Sequence, residues 1–367
     1  MTEGQVKPPH ANRGVLRKKE EEKSQLTSMV DYVRISFKTH DIDHIIQNVL
    51  HIHKDFMTEE PRGFYGYIGT WRMDMIKVFY SAPGDDRGTL IELSGKGCRQ
   101  FESFLECRKK TWFDFFQDCL NEKGSFTRLD IAIDDKKTYF SIPNLLKRVQ
   151  KGLCVSRYRR VDNNGSNQIA DGSSAGTTIY FGSKKSESYL CFYEKNYEQA
   201  DKFNLSYDDL EKWNRYEIRL KSERAHSAVC ELIADRNLKK IAIGIISNCI
   251  RFVEENGEED KRKRKTSPFW LKFIGDVQKL QLTIEPKKDF YEKSRNWLQN
   301  SCAPTMRMIL EADRSLGNSR LLDVILNAAD GALGESDLLN MIFNAELQEK
   351  HEKMLDTYLT PIHEMVV

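Results

Sequence analysis

Three short runs in the middle of this 367-residue chain alternate between polar and apolar residues. They read FTRLDIAID (126–134), SYLCFYEKN (188–196) and NRYEIRLK (214–221). Successive side chains of a β-strand point to opposite faces, so the alternation predicts an antiparallel sheet with one buried face and one polar face. The predicted polar face carries Arg128, Asp130 and Asp134 from the first run, Tyr193 and Lys195 from the second, and Glu217, Arg219 and Lys221 from the third.

The second run supplies a candidate nucleophile, the hydroxyl of Tyr193. Lys195 is predicted on the same face, where its charge favours the phenolate and stabilises a phosphate under attack. Tyr197 is a rival nucleophile, and a partly buried tyrosine at a sheet edge is the structural alternative. Carboxylates, cations and a tyrosine hydroxyl together suit phosphodiester transesterification, so cleavage of a DNA strand is the functional hypothesis.

Acidic residues of the predicted strands form a candidate site for Mg²⁺ or Mn²⁺, which take oxygen ligands and keep bound water. The candidate ligands are Asp130, Glu217, Asp31 and Glu92. Asp130 with Glu217 from a paired strand is the favoured pair, and Asp134 has a supporting role near a strand end. The alternative is a ladder of salt bridges in which Arg128 and Arg219 pair with these acids across neighbouring strands.

Basic residues around these strands are candidate contacts for DNA phosphates: Arg128, Lys184, Lys185, Lys221 and Lys96. Lys96 belongs to SGKGC (94–98), where backbone N–H groups at a predicted helix start offer a further phosphate contact. A turn with an ordinary helix cap explains this segment equally well. His51-Ile52-His53 spells the metal-binding pattern of another class of DNA-nicking enzymes. It falls at the end of a predicted helix and is not assigned to metal, because coordination requires geometry as well as residue type.

Composition excludes several classes of protein. The longest apolar stretches, such as IAIGII (241–246), are far shorter than the roughly 20 residues of a transmembrane helix. The charged N-terminus lacks the apolar core of a secretory signal, so we expect a cytoplasmic protein without a membrane partner. Eight scattered cysteines without a C-x-x-C pair are typical of free thiols. The net charge of +2 conceals basic clusters interleaved with aromatic residues, as on nucleic-acid-binding surfaces.

The wider pattern predicts an α+β protein in which a catalytic domain with a mainly antiparallel sheet is followed by a small helical region. The predicted divisions are a flexible charged tail (1–25), a catalytic domain (26–255), a charged linker (256–266) and a helical C-terminal domain (267–367). Individual predictions include helices over 98–120, 238–255, 289–300, 304–316 and 336–359, and a mobile glycine-rich loop over 162–177.

In these segments the chain resembles the replication initiation factor family. This family comprises rolling-circle plasmid initiators of Gram-positive bacteria and related relaxases of integrative and conjugative elements. The resemblance is closest to the relaxase branch and runs from about residue 26 to the end of the chain. The segments that carry it, in the family's order, are LTSMVDYVRISF, IELSGKGCRQFESFLE, FTRLDIAIDD, TTIYFGSKKSESYLCFYEKNYEQ, NRYEIRLK and KSRNWLQNSCAPTM.

The resemblance implies a Rep-like nicking fold and a relaxase that cuts one strand at an origin of transfer. The enzyme would stay attached to the 5′ phosphate through tyrosine and would be able to rejoin the strand. The family's tyrosine lies in a run similar to FYEKN, which implies Tyr193, and its divalent metal is held by acidic strand residues. Two alternatives stay open: a plasmid replication initiator with the same chemistry, and a non-catalytic protein that binds the origin.

The resemblance also implies partners. They are single-stranded or supercoiled origin DNA, a helicase, an accessory DNA-binding protein, a coupling protein and a second copy of this chain. Some relatives carry an N-terminal helix-turn-helix domain, for which the residues before Ser28 are too few. We therefore expect origin recognition to lie elsewhere in the chain or to need the accessory protein.

Overall fold

The computed structural model describes residues 26–203, 205–206, 211–275, 277, 279–282, 298 and 303–318. The chain divides into two compact units, Met1–Ile284 and Glu285–Val367. Within the described part of the second unit, one helix extends over Ala303–Leu316, where the sequence predicts a helix over 304–316. The predicted tail at 1–25, the predicted helix at 336–359 and most of that at 289–300 lie outside the described residues.

One sheet of ten strands forms the frame of the first unit. In chain order the strands are β1 (Leu26–Phe37), β2 (Thr58–Glu60), β3 (Gly69–Met73), β4 (Ile76–Tyr80), β5 (Thr89–Ser94), β6 (Ser125–Asp135), β7 (Cys154–Ser156), β8 (Val161–Asn167), β9 (Ser174–Phe181), β10 (Ser188–Glu194), β11 (Asn214–Lys221) and β12 (Ile250–Phe252). The order across the large sheet is β2-β3-β4-β5-β1-β6-β11-β10-β9-β8, and β7 pairs with β12 in a separate ribbon. Neighbouring strands are antiparallel throughout.

Helices connect and cover these strands. They are α1 (Ile42–His44, continued by a π-helical turn Ile45–Val49), α2 (Lys96–Cys107), α3 (Trp112–Asn121), α4 (Ile142–Gln150), α5 (Lys195–Phe203), α6 (Ser222–Asp235), α7 (Leu238–Cys249), α8 (Pro268–Ile274) and α9 (Ala303–Leu316). The α+β class predicted from the sequence is confirmed. None of the helices in the described ranges is long and apolar enough to cross a membrane.

The sheet has one apolar face, as the alternation predicts. Leu129, Ile131 and Ile133 of β6 are fully buried, and the register places Ile218 of β11 opposite Ile131. Helices α6 and α7 pack over this inner face, and their apolar side chains belong to the same core. Burial of apolar side chains on one side leaves the charged residues of the same strands on the outer face.

The predicted helix over 98–120 is two helices. α2 ends at Cys107, and Lys109 in the connection has a left-handed φ of 55°, a conformation that ends an α-helix. α3 then starts after Thr111, whose hydroxyl and backbone N–H both donate to the Asp114 carboxylate. This capping arrangement satisfies polar groups that a helix start leaves without partners.

Two other segments differ from the sequence prediction because strand pairing overrides local composition. The predicted loop over 162–177 forms much of the β8–β9 hairpin, with Asp162 opposite Tyr180. β8 lies at the sheet edge, where polar side chains stay in water. The predicted helix over 238–255 ends at Cys249, since Ile250–Phe252 pairs with β7.

The charged segment 256–266 forms a loop whose two ends are paired. Val253 pairs with Thr266 across it, and the Arg251 side chain donates to the carbonyls of Arg262 and Arg264. The following helix α8 places Trp270 and Phe273 in the core of the first unit. The division between compact units therefore lies at Ile284, well beyond the predicted linker, whereas separate catalytic and helical domains stay a prediction.

Candidate active site

The central strands bring the predicted polar residues together on the outer face. β6 lies between β1 and β11, and β10 follows β11. Antiparallel register places Arg219 opposite Asp130 and Arg215 opposite both Asp134 and Tyr193. Side chains directly opposite each other on one face lie close enough for direct contact, so residues far apart in sequence form one cluster.

Tyr193 lies at the centre of this cluster. Its hydroxyl donates to Glu217 Oε1 at 2.8 Å, and Lys195 Nζ lies 3.5 Å from the same oxygen. Burial, together with the negative charge of Glu217, raises the pKa of the Tyr193 phenol well above its ordinary value. The tyrosine is therefore protonated at neutral pH, and its proton already points at a carboxylate positioned to accept it.

Lys195 reaches Tyr193 by a different route from the one predicted. β10 ends at Glu194, and Lys195 is the first residue of α5 rather than a strand residue. Its backbone N–H donates to the carbonyl of Trp213, and its Nζ donates to Glu198 Oε1 at 2.6 Å. The buried side chain thus crosses the strand end to the tyrosine, although strand parity does not place it there.

Arginines hold the buried carboxylates of β6 and β11. Arg128 donates to both oxygens of Asp130 at 3.0 and 2.6 Å, and Arg219 donates through two nitrogens to Glu217 Oε2 at 2.9 and 2.6 Å. Burial raises the pKa of Asp130 in spite of Arg128. These contacts fix both carboxylates, but each joins residues two apart in one strand. The ladder across neighbouring strands that the sequence left open is represented here by Arg219 and Asp130, whose charged atoms lie 3.9 Å apart.

Arg215 completes the set of arginines. It donates to both oxygens of Asp134 at 2.6 and 2.9 Å, and its Nη1 lies 3.5 Å from Asp31 Oδ1. Its charge also lowers the pKa of Tyr193, against the effect of Glu217. Arg215 is not among the site residues predicted from the sequence, although it lies on the same strand face as Glu217.

Asp31 joins this cluster through an irregularity in β1. Val30 lies opposite Ile131 and Tyr32 lies opposite Asp130, so Asp31 is an extra residue in a β-bulge. A bulge of this kind turns a side chain that would otherwise alternate. Burial and the negative charge of Glu217 raise the pKa of Asp31, whereas the charge of Arg215 acts in the opposite direction.

Glu92 lies elsewhere on the outer face. Its carboxylate accepts from the hydroxyls of Tyr32 at 2.5 Å and Tyr65 at 2.9 Å, and Lys77 Nζ lies 3.4 Å away. The four acids predicted as ligands therefore divide into two environments. Three are held among arginines beside Tyr193, and Glu92 is held by tyrosines on the other side of β1.

The carboxylates do not form a closed metal cage. Across the described ranges, no group of three or more His, Cys, Asp or Glu side chains is arranged to hold one ion. Mg²⁺ is commonly held by only one or two carboxylates and completes its shell with water and substrate phosphate. Asp31 and Glu217 are enough protein ligands for such a site. Their mutual repulsion is the feature that a cation would relieve.

The predicted histidine pair has other roles. His51 has a left-handed φ of 55°, and its Nε2 lies 3.0 Å from Asp118 Oδ2. His53 packs its ring edge-to-face against Phe56. The two side chains therefore have separate partners.

The predicted DNA contacts line the outer face and its margins. Lys184 Nζ lies 3.9 Å from the centre of the Tyr180 ring, and Lys221 Nζ donates to the Lys184 carbonyl at 2.6 Å. Lys185 is exposed in the turn before β10, and Lys96 is exposed at the first position of α2. SGKGC is thus a helix start, whereas its contact with phosphate stays a prediction.

The rival nucleophile Tyr197 lies on α5. A Cβ added to Gly176 would meet the Tyr197 Cβ at 3.1 Å and its ring at 3.4 Å, so the side chain packs against the backbone of β9. Burial raises the pKa of its phenol. Tyr193, in contrast, lies on a strand with its hydroxyl bonded to Glu217.

Known proteins share both the sequence and this frame. Residues 124–325 match the model of the replication initiation factor family, and residues 27–118 match that of the rolling circle replication initiation protein N-terminal domain. The chain is 60% identical over 363 residues, 98% of each chain, to the Bacillus subtilis (strain 168) protein named "Putative DNA relaxase NicK". The chain belongs to the replication initiation factor family.

A solved structure has a similar fold. The rolling circle replication initiator protein from Geobacillus stearothermophilus is 29% identical, and it superposes with a TM-score of 0.61 over 71% of this chain and all of that one. The first match ends at residue 118, in the last turns of α3, and the second begins at residue 124, just before β6. This member of the replication initiation factor family therefore builds its outer face from both parts, with Asp31 and Glu92 from the first and Tyr193 and Glu217 from the second.

Proposed function

We propose that this protein is a relaxase that nicks one DNA strand at an origin of transfer and rejoins it. The observation that carries the proposal is the hydrogen bond from the Tyr193 hydroxyl to Glu217 Oε1, beside Lys195 and Arg219. A nucleophile paired with a base and surrounded by cations is the arrangement that covalent phosphoryl transfer requires. The named relaxase of Bacillus subtilis, similar over the full chain, supports the same activity.

The proposed reaction begins with transfer of the Tyr193 proton to Glu217. The phenolate oxygen attacks the scissile phosphorus in line, and the bond from phosphorus to the 3′ oxygen breaks as the tyrosine–phosphorus bond forms. The 5′ phosphate stays on Tyr193, and the proton passes to the departing 3′ oxygen. Because the phosphotyrosine is a diester like the bond it replaces, the 3′ hydroxyl can reverse the reaction and rejoin the strand.

The cations of the cluster have defined roles in this proposal. Lys195 stabilises the phenolate, since its Nζ already lies 3.5 Å from the hydroxyl oxygen. Arg219 and Arg128 balance the charge that develops on the phosphate oxygens. Lys184, Lys185, Lys221 and Lys96 bind flanking phosphates.

We propose Mg²⁺ or Mn²⁺ as the cofactor, held by Asp31 and Glu217. Both oxygens of Asp130, the ligand first favoured from the sequence, accept from Arg128, and those of Glu217 accept from Tyr193 and Arg219, so an ion at Glu217 would displace one of these donors. Bound there, the ion would polarise a non-bridging phosphate oxygen. Removal of the ion with EDTA should stop nicking, and added Mg²⁺ or Mn²⁺ should restore it, whereas nicking that persists in EDTA would contradict this part of the proposal.

The central test is covalent capture of labelled DNA. Wild-type protein incubated with Mg²⁺ and a labelled single strand of the origin should give a protein–DNA band that survives a denaturing gel. Tyr193→Phe should lower the yield at least about a thousandfold, because it removes the nucleophile. Tyr197→Phe is the matched control and should react normally. An adduct that persists in Tyr193→Phe and disappears in Tyr197→Phe would assign the reaction to the other tyrosine.

A second function, initiation of rolling-circle plasmid replication, is favoured by the superposition with the Geobacillus stearothermophilus initiator. It uses the same chemistry, so only an assay of replication against strand transfer in cells separates the two. A protein that binds the origin without cutting it would give no adduct in the capture test. We further propose a helicase, an accessory DNA-binding protein, a coupling protein and a homodimer as partners, which crosslinking during transfer would identify.

A further inference from the structure

The loop between β2 and β3 covers part of the outer face with aromatic residues. Residues 61–68 read PRGFYGYI, and we call them the aromatic loop. The loop lies over Phe79 of β4, which shares the outer face with Lys77 and is only 1% exposed. Three rings of the loop, those of Phe64, Tyr65 and Tyr67, pack around this buried phenylalanine at centroid distances of 6.3, 6.0 and 6.1 Å.

The upper side of the aromatic loop is open to solvent. Phe64, Tyr65 and Ile68 are 54%, 56% and 52% exposed although they rest on a buried ring. Single exposed apolar residues are ordinary on protein surfaces, but adjacent large ones on a fixed support indicate a binding site. This group is not part of the apolar core on the inner face.

The backbone of the loop is held in a fixed and strained shape. Tyr65 has a left-handed φ of 58°, which a bulky residue rarely adopts, and Gly66 follows with a φ of 85°. A Cβ at Gly63 would lie 2.0 Å from the Tyr67 carbonyl oxygen, so the turn closes tightly enough to require glycine. The Tyr65 hydroxyl is tied to Glu92, which fixes the ring over the sheet.

Arginines alternate with these rings. Arg62 lies 5.7 Å from the centre of the Phe64 ring, and Arg34 lies 4.8 Å from that of Tyr65. Arg34 is opposite Arg128 in the register of β1 with β6, so cationic side chains continue from the loop to the cluster around Tyr193. Exposed rings beside a row of cations are complementary to unpaired bases on a phosphate backbone.

We propose that the aromatic loop is a stacking site for bases of single-stranded DNA, separate from the site of phosphoryl transfer. This inference rests on the proposed function, because it needs a single strand lying across the outer face. β4 and β10 are five strand spacings apart, so the loop would hold bases about 24 Å from the scissile phosphate. Glu92 is then a positioning residue, which holds Tyr65 and, through the Tyr32 hydroxyl, connects the loop with β1.

The test uses an oligonucleotide that needs no knowledge of the origin. A thymidine strand of about 20 nucleotides, longer than typical single-strand site sizes, carries one 2-aminopurine whose fluorescence is quenched by stacking. Phe64→Ala should weaken binding to the full-length protein about tenfold and reduce the quenching, whereas Phe64→Trp should retain both. Phe56, which is 71% exposed outside the loop, provides the matched control, and Phe56→Ala should bind as wild type does.

Oligonucleotides with one abasic position at a time give a second measurement. Wild type should lose affinity when the stacked base is missing, and Phe64→Ala should lose little more at that position. Unchanged affinity of Phe64→Ala for DNA overturns the proposal. The proposal is also overturned if Phe64→Ala keeps its affinity for DNA but loses self-association or binding to anionic vesicles. The loop would then bind a second copy of the chain or a lipid surface.

The two proposals fail in different ways. A wild-type protein that binds and quenches the oligonucleotide but forms no covalent adduct would contradict the relaxase proposal and leave the stacking site in place. An adduct formed at the normal rate by Phe64→Ala at saturating DNA is expected, because the loop does not touch the reacting atoms.

Discussion

The outer face of one sheet has two regions that hold acidic residues in opposite ways. Around Tyr193, buried carboxylates are held by arginines, as in the pairing of Arg128 with Asp130. Beyond β1, the Glu92 carboxylate is held by the hydroxyls of Tyr32 and Tyr65. Strand parity brings a carboxylate to a face, and its partners decide whether it is held among arginines beside Tyr193 or holds an aromatic ring in place.

The largest expected effect beyond loss of the nucleophile is at Glu217. Glu217→Gln should slow covalent capture about a hundredfold or more at pH 7, because an amide cannot take the Tyr193 proton. The rate of the variant should rise more steeply with pH as the phenolate forms without help. The pH–rate profile of single-turnover cleavage measures both effects.

Asp134→Asn is the control for Glu217→Gln. Asp134 is equally buried and arginine-bound, but its partner is Arg215 rather than the nucleophile. The substitution Asp134→Asn should lower the thermal stability of the protein and leave the shape of the pH–rate profile of cleavage unchanged. Cleavage by Glu217→Gln at the wild-type rate would remove the base from the proposed reaction.

A smaller effect is expected at Glu92 and sharpens the contrast between the two regions. In Glu92→Gln the amide oxygen can replace Oε2, to which both tyrosine hydroxyls donate, but the charge opposite Lys77 is lost, so binding of single-stranded DNA should weaken about threefold. Cleavage at saturating DNA should be normal. If the variant instead requires more Mg²⁺ for half-maximal cleavage, Glu92 is a metal ligand, as the sequence predicted.

The smallest expected effect concerns pH and stability at Asp31. Its pKa is raised by burial and by Glu217, so the folded protein binds this proton more tightly than the unfolded chain does. The ionised carboxylate therefore opposes folding at neutral pH. Metal-free Asp31→Asn should melt about 1–2 °C higher at pH 7.

The advantage of Asp31→Asn should diminish as the pH falls toward the ordinary pKa of an aspartate, because the wild-type carboxyl is then neutral as well. Thermal melts of both proteins over a pH series measure the difference. A wild-type protein that is the more stable of the two at pH 7 would show that Arg215 outweighs the repulsion from Glu217.

Sequence alone predicts the parts of the site that depend on local alternation. The faces of β6 and β11 follow from parity, and Asp130, Glu217 and Tyr193 share the outer face as expected. Arg215 could have been predicted from the same alternation, because it lies two residues before Glu217 in NRYEIRLK. The α+β class follows from the same patterns.

The remainder depends on pairing between distant segments. The bulge at Asp31 exists only because β1 aligns with β6, and nothing in LTSMVDYVRISF marks it. Lys195 reaches Tyr193 because β10 stops one residue earlier, where its N–H meets the Trp213 carbonyl. One partner of Glu92, Tyr65, comes from a loop whose fold over Phe79 is set by tertiary packing.

The bulge in β1 also bears on how such a site can arise and be lost. An inserted residue normally reverses every later side chain of a strand, yet here Val30 and Tyr32 match consecutive partners, Ile131 and Asp130, as though Asp31 were absent. A one-codon insertion or deletion at this position therefore adds or removes a carboxylate while the hydrophobic register of the sheet is preserved. Related proteins can therefore gain or lose this carboxylate while the fold stays the same.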